Sequence, residues 1–244
     1  MRLDLYLYEN GFCGSRTEAK SFVVNGNVTV NGKTVSKPSY DVLGEEQIEV
    51  DRSSKKYVSR GGLKLEAAID AFKIDVSGLC AIDIGASSGG FTDCLLKHGA
   101  EHVIALDSGT MQLSQILRDD ARVTVLENFN ARYMSPSDFE YVPEIAVMDV
   151  SFISATLIIP AVANILLPGG GFVCLIKPQF EVGRAGVGKG GIVKNDALRR
   201  QAVDKVLGSA EASGFENVGL IDSPILGGDG NAEFLAYFLK KRYK

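Results

Sequence analysis

The chain has 244 residues, of which 45% are apolar and 23% charged, with a net charge of −4. That composition fits a globular protein with one ordinary domain plus an appendage, or two small domains. It excludes the global positive charge of an overtly nucleic-acid-binding chain, and no apolar run approaches the roughly 20 residues that a membrane span needs.

The N-terminus, MRLDLYLYEN, alternates charged and apolar residues, unlike a secretion signal, so a cytoplasmic protein is expected. Cys13, Cys80, Cys94 and Cys174 contain no C-x-x-C pair, and reduced thiols are expected rather than a metal site. Residues 1–60 carry 9 basic and 8 acidic side chains, and residues 61–244 carry 17 and 22. Any contact with nucleic acid is therefore expected from local patches.

The first fifty residues read as a helix followed by a hairpin. In SRTEAKSFVVNG, Ser15 and Glu18 have capping-box spacing, and Asn25-Gly26 supplies a C-cap. VTVNGKTV sets two β-branched runs around Asn31-Gly32, the pair favoured in a type I′ hairpin turn. Arg2, Arg16, Lys20, Lys33 and Lys37 punctuate this segment. The succession R-L-D-x-x-L, S-R-x-x-A, G-x-V-x-V-N-G resembles the S4 RNA-binding domain over most of residues 1–50. The resemblance implies an S4-like domain over 1–54 that meets RNA through Arg2, Arg16, Lys20 and Lys33. Such contacts go to phosphate, and they position an RNA without reading its bases. DRSSKKYVSRGG (Asp51–Gly62) is polar and aperiodic, and a linker is predicted over 55–62.

Beyond it, helical and strand patterns alternate. LKLEAAIDAF is helical, CAIDIG a strand, GFTDCLLKHG a helix and HVIALD a strand. TMQLSQILRD (110–119) is predicted helical, VTVLEN and EIAVMDVSF strands, and ATLIIPAVANILL (155–167) a helix carrying Pro160. GGFVCLIK is a strand, DALRRQAVDKVLGSAEASG a helix, and FENVGLID and AEFLAYFLK are closing strands. This order predicts an α/β fold over 63–244: a doubly wound, mainly parallel, Rossmann-like sheet, preceded by a small α+β domain.

Open α/β sheets bind ligands beyond the carboxyl ends of their strands. The turn there is Gly85-Ala86-Ser87-Ser88-Gly89-Gly90. Its small residues admit a ligand close to the backbone, and the following helix N-terminus favours a negative group. A pyrophosphate meets that need, and so does the carboxylate of S-adenosylmethionine. Asp107 ends the second strand, where an acid accepts hydrogen bonds from ribose hydroxyls. Asp149 and Lys177 close two further apolar runs. Charges so placed are costly unless used, and on neighbouring strands they share one crevice. Glu233 opens the last strand, and Lys64 lies one turn into the first helix after the linker.

SRGGLKL, DIGASSGGFTDCLL, ALDSGTMQL, MDVSFIS and KPQFEVGRAGVGKGGIV together resemble the TlyA, or haemolysin A, family over essentially the whole chain. The resemblance implies methyl transfer from S-adenosylmethionine to a ribose 2′-hydroxyl of ribosomal RNA, with cytidine as the expected nucleotide. The catalytic half is similar to FtsJ-type ribose methyltransferases, whose Lys–Asp–Lys–Glu tetrad maps onto Lys64, Asp149, Lys177 and Glu233. Cofactor contacts are implied at Asp83, Gly85, Ala86, Ser87, Ser88, Gly89, Gly90, Phe91, Asp107, Asn130 and Asp149. Further RNA contacts are implied at Arg60, Arg184 and Lys189. DSGTMQL departs from the Gly-Tyr-Gly trio of relatives, which bears on the edge of the ribose pocket.

A 2′-hydroxyl must lose its proton as the methyl arrives. Lys177 is expected to accept that proton and Lys64 to position the hydroxyl, with Asp149 and Glu233 orienting the lysines. EVGRAGVGKGGIVKN (181–195) reads as a mobile surface loop or as a lid meeting RNA through Arg184, Lys189 and Lys194. A monomer acting on ribosomal RNA or ribosomal subunits, without membrane contact, is expected. The competing readings are a non-catalytic RNA-binding protein on a methyltransferase fold, a pore-forming haemolysin and a nicotinamide oxidoreductase. The four-residue set, the lack of a spanning segment and the glycine pattern oppose them in turn.

Overall fold

The computed structural model describes residues 1–24, 26–51, 56–227 and 230–242, without the side chain of Arg184. Two units divide between Lys56 and Tyr57.

In the first, α1 (Leu3–Glu9) and α2 (Arg16–Val24) accompany an antiparallel sheet of order β2-β1-β3. Its strands are β1 (Val28–Val30), β2 (Lys33–Thr34) and β3 (Ile48–Val50). Leu3, Leu7, Ala19, Phe22, Val23, Val28 and Val30 form its core. The predicted hairpin is present, with Asn31 at φ 50° and Gly32 at φ 75°. Ser15 Oγ accepts from the Glu18 amide at 3.1 Å, and the Glu18 carboxylate reaches back to the Gly14 amide at 2.9 Å. Asn25 of the predicted C-cap lies outside the described residues.

Among the described residues the second unit holds a seven-stranded sheet of order β6-β5-β4-β7-β8-β10-β9. β4 (Cys80–Ile84), β5 (His102–Leu106), β6 (Val123–Leu126), β7 (Ile145–Met148) and β8 (Gly171–Ile176) run parallel. β9 (Phe215–Asp222) and β10 (Phe234–Lys240) complete it antiparallel. Strand alternation divides the core between the two faces. Phe172, Cys174 and Ile176 of β8 join one cluster with Ile159, Val162, Val206, Phe215 and Phe238. Val173 and Leu175 join the other with Leu65, Ala68, Cys94 and Leu95. The helices are α3 (Gly61–Phe72), α4 (Gly90–Lys97), α5 (Gln115–Arg118), α6 (Ile159–Ile165), α7 (Pro178–Glu181) and α8 (Asp196–Ala212). The mainly parallel α/β architecture expected from the sequence is the one observed. The sheet's order reverses direction at β4 and β7, which is where such folds bind ligands. No described helix is long and apolar enough to cross a membrane.

Three expectations need correction. The segment read as a linker over 55–62 belongs to the second unit from Tyr57 onward. Tyr57 is 3% exposed, and the Val58 amide donates to Asp93 Oδ2 at 2.8 Å. One aromatic anchor and a pair of glycines dock a stretch whose polarity suggested none. The helix predicted over 110–119 shrinks to α5, because Glu127 captures three amides of the preceding loop, as described below. The helix predicted over 155–167 begins as a 3-10 turn at Ala155–Leu157 and is α-helical only over Ile159–Ile165, with Pro160 in its first turn.

The contact that brings α3 to the glycine turn is backbone on backbone. A Cβ on Gly90 would lie 2.2 Å from Ser59 Oγ and 2.9 Å from the Gly62 amide nitrogen. Gly90→Ala is therefore expected to cost about 1–3 kcal/mol, as overpacking does. Gly208 lies exposed within α8 with nothing within 4 Å of a Cβ, so Gly208→Ala should gain about 0.5–1 kcal/mol. Thermal melts of the two variants should shift in opposite directions; a shared direction would contradict the close contact.

Candidate active site

Two ion pairs mark the carboxyl edge of the sheet. Lys64, in the first turns of α3, donates to Glu233 Oε2 at 2.5 Å, and both side chains are buried. Lys177 follows β8, and its Nζ lies 2.6 Å from Asp149 Oδ1, just past β7. That ion pair falls outside hydrogen-bond alignment, and Nζ donates instead to Ser151 Oγ at 2.8 Å. The strand register joins the pairs. Phe234 stands opposite Ile176 at the last rung, and Glu233 and Lys177 are the residues that flank this rung in sequence. The four residues expected from the sequence therefore stand as two ion pairs at the same edge of the sheet. Glu233 lies just before β10 rather than within it. Of the turn that leads to it, Gly228 and Asp229 lie outside the described residues.

The glycine turn lies against the end of β7 at Asp149. Gly85 has φ +86°, and a Cβ there would sit 2.4 Å from the Asp149 carbonyl oxygen. Only a glycine allows β4 to pass that close to the end of β7. Asp107 spans the turn and the next loop: its Oδ2 accepts from the Ser87 amide at 2.8 Å and its Oδ1 from the Gly109 amide at 2.7 Å. Asp83 is fully buried beneath them. Its Oδ2 accepts from the Thr92 amide at 2.9 Å and hydroxyl at 2.7 Å, while Oδ1 has no hydrogen-bond partner among the described residues. Burial pushes the Asp83 carboxyl up to about 7 against the Thr92 hydrogen bonds, and the charges of Asp149 and Asp107 push the same way. Ala86 and Phe91 are buried, Phe91 in the core with α3 and α4. Asn130 is exposed and caps a 3-10 turn, its Oδ1 accepting from the Arg132 amide at 3.2 Å. It is linked to the site through Phe129, whose amide donates to the Asp107 carbonyl at 3.0 Å.

Several site residues were not singled out from the sequence. Glu127 accepts from the amides of Met111, Gln112 and Leu113 at 2.8, 2.9 and 3.3 Å and pairs with Arg118. The Arg118 hydrogen bond leads these contacts in holding its carboxyl down at about 2. Glu127 thus shapes the DSGTMQL loop. It follows the apolar run VTVL as Asp107 follows HVIAL, so the signal was present. Phe152 is 92% exposed at φ +64°, with its ring centroid 5.3 Å from that of Phe180. Nothing in the pattern marked it, since it lay within a predicted strand.

Of the expected RNA-contacting residues, Arg2 and Arg16 both pair with buried Asp4, at 2.9 and 3.2 Å, and remain about half exposed. Those guanidinium groups hold the Asp4 carboxyl below its usual range. Lys20, Lys33, Arg60 and Lys189 are exposed. The glycine-rich loop is separated from Lys177 by α7. It is also tied down: buried Asn231 accepts from the Val193 amide at 3.0 Å and donates to the Gly191 carbonyl at 2.9 Å.

Residues 57–240 match the FtsJ-like methyltransferase family and residues 1–48 the S4 domain. The 16S/23S rRNA (cytidine-2′-O)-methyltransferase TlyA of Mycobacterium tuberculosis is 40% identical over 237 residues, which cover 97% of this chain and 88% of that relative. A solved protein named a hemolysin, from Streptococcus thermophilus, is 45% identical, with a TM-score of 0.79 over 99% of this chain and 88% of that one. A solved S-adenosylmethionine-dependent methyltransferase from Mesorhizobium loti shares the fold alone, at 18% identity and a TM-score of 0.52 over 71% of this chain and 96% of that one. The chain thus belongs to the TlyA family, in which an S4 domain precedes an FtsJ-like methyltransferase domain.

Proposed function

We propose that this chain transfers a methyl group from S-adenosylmethionine to a ribose 2′-hydroxyl of ribosomal RNA, at a cytidine, and that its S4 domain holds the RNA. The observation that carries this reading is the pairing of Lys64 with Glu233 and Lys177 with Asp149 at the carboxyl edge of the sheet, where the glycine turn meets Asp149. The residues fit the cofactor. Burial raises the Asp83 carboxyl, and the charges of Asp149 and Asp107 gathered around it add to that rise. That gathering opposes a pyrophosphate and suits a ligand with a sulfonium and an ammonium group. The unpartnered Oδ1 of Asp83 offers an acceptor, Asp107 retains lone pairs for ribose hydroxyls, and the N-terminus of α4 suits a carboxylate.

S-adenosylmethionine, when bound, supplies an activated methyl group. The chain's own task is alignment and proton removal. Lys177, held by Asp149 and Ser151, receives the 2′-hydroxyl proton. Lys64, fixed by Glu233, orients the hydroxyl. A positioned acid–base group contributes about 10²–10⁴ in rate. Exposed Phe152, three residues past Asp149, offers a ring on which the target base can stack.

Transfer of labelled methyl to purified ribosomal subunits tests the function, with mapping of the modified ribose by resistance to alkaline cleavage. Lys177→Ala should lower transfer by about 10² or more while calorimetry finds cofactor affinity nearly unchanged; lost affinity would give Lys177 a binding role instead.

Asp83 makes a pH-dependent prediction. Its folded carboxyl, near 7, lies above the ordinary value of about 4, so the folded chain keeps the proton that the unfolded chain releases. Stability should fall as pH rises from about 4 to 7, and Asp83→Asn should flatten that slope in thermal melts. A cationic ligand takes the ionised form, so affinity for S-adenosylmethionine should rise through pH 7 in the native chain and stay flat in the variant. A pH-independent native affinity would remove Asp83 from the cofactor site.

Lys20→Ala should weaken RNA binding irrespective of sequence and reduce the logarithmic salt slope by roughly one. An unchanged slope would mean that Lys20 meets no phosphate.

A further inference from the structure

Glu181 ends α7, four residues after Lys177, and is buried. Its Oε1 accepts from the Ala155 amide at 2.7 Å. Its Oε2 accepts from Ser154 Oγ at 2.5 Å and from Lys205 Nζ at 2.9 Å. Lys205, on α8, also donates to the Glu181 carbonyl at 3.1 Å and to Ser154 Oγ at 3.3 Å. One carboxylate therefore fastens α7, the 151–155 loop and α8 together.

Two of those segments adjoin the Lys177–Asp149 pair: Lys177 caps α7, and Asp149 lies two residues before the loop. Between Asp149 and Ser154 lie Ser151, which accepts from Lys177, and Phe152 in the left-handed region. A left-handed phenylalanine persists only where its surroundings over-determine it. The Ser151–Lys177 hydrogen bond fixes one flank of Phe152, and Glu181 fixes the other through Ser154 and Ala155.

We infer that Glu181 is a positioning residue for methyl transfer: it clamps the 151–155 loop to α7, and so aligns Ser151 and Asp149 with Lys177 and sets the pose of Phe152. This rests on the methyltransferase reading above. Glu181 touches none of the reacting groups; it acts through Ser154 and Ala155.

The test uses the full chain, S-adenosylmethionine and purified ribosomal subunits. Glu181→Gln should lower kcat at least tenfold with the cofactor Kd unchanged within twofold. Hydrogen exchange of the Ala155 amide should quicken at least tenfold, with the glycine turn unaffected. Ser154→Ala should lower kcat alone but add nothing in the Glu181→Gln background. Val206→Ala, a core truncation on the same helix as Lys205, should lower Tm without lowering kcat. Unchanged kcat and exchange in Glu181→Gln would overturn the inference. So would parallel losses of kcat and cofactor affinity that Val206→Ala reproduces. Should Glu181→Gln not fold, Ser154→Ala decides alone: a lower kcat at unchanged cofactor Kd supports the clamp, and an unchanged kcat overturns it. If the native chain transfers no methyl, the function falls, and amide exchange still judges the clamp.

Discussion

Lys64 and Glu233 lie 169 residues apart in sequence and are both withdrawn from water, so each must find its counter-charge in the other. Leaving one such ion buried without a partner costs about 3–5 kcal/mol. That constraint ties the start of α3 to the entrance of β10. The Lys177–Asp149 pair does the same for β8 and β7. Apolar burial assembles the strands, and these charges determine which ends stand together. The crevice is complete only once the whole sheet has formed, because each pair closes between distant segments.

Under the proposed function, charge sign then selects the ligand class. The amides at the start of α4 present a partial positive end, which alone would accept pyrophosphate or carboxylate equally. Three carboxylates around the same turn remove that indifference. Asp83 is raised to about 7 mainly by burial, and the charges of its acidic neighbours push the same way. A doubly negative group would meet that field at close range, whereas a zwitterion can place its carboxylate at the helix and its cations among the acids. The glycine turn is ambiguous as a one-dimensional pattern, and under the proposed function its acidic surroundings favour the zwitterion.

The sheet and the four charged residues were legible because burial writes itself into sequence. Strands buried on both faces read as apolar runs, and a charge that ends such a run stands out. Residues whose partners are backbone amides leave no comparable mark. Glu127, Glu181 and Asn231 act on amides of residues 111–113, 155 and 193, and any residue but proline can supply such a donor. The same blindness produced the overlong helix at 110–119. Its apolar spacing was helical, but Glu127 takes the amides of Met111, Gln112 and Leu113 and holds Met111 at φ +53°. The linker failed for a different reason: Tyr57 and two glycines carry the docking, too few residues to create periodicity.

These amide-accepting acids share a physical logic. Asp107, Glu127 and Glu181 each hold a loop at the crevice by its main chain, and Glu127 and Glu181 each take a cation as well, Arg118 and Lys205. Bonds to backbone fix a loop's path while leaving its side chains free. The departure of DSGTMQL from the glycine-rich trio of relatives is then compatible with an unchanged pocket wall, because Glu127 binds the amides of Met111, Gln112 and Leu113 whatever side chains they carry. The path of the loop at this edge depends on the acid that anchors it more than on the identities of the loop residues. By the same reasoning, the 151–155 loop can present an exposed aromatic in a strained conformation, since the hydrogen bonds that stabilise it lie on either side of Phe152 and none involves its ring.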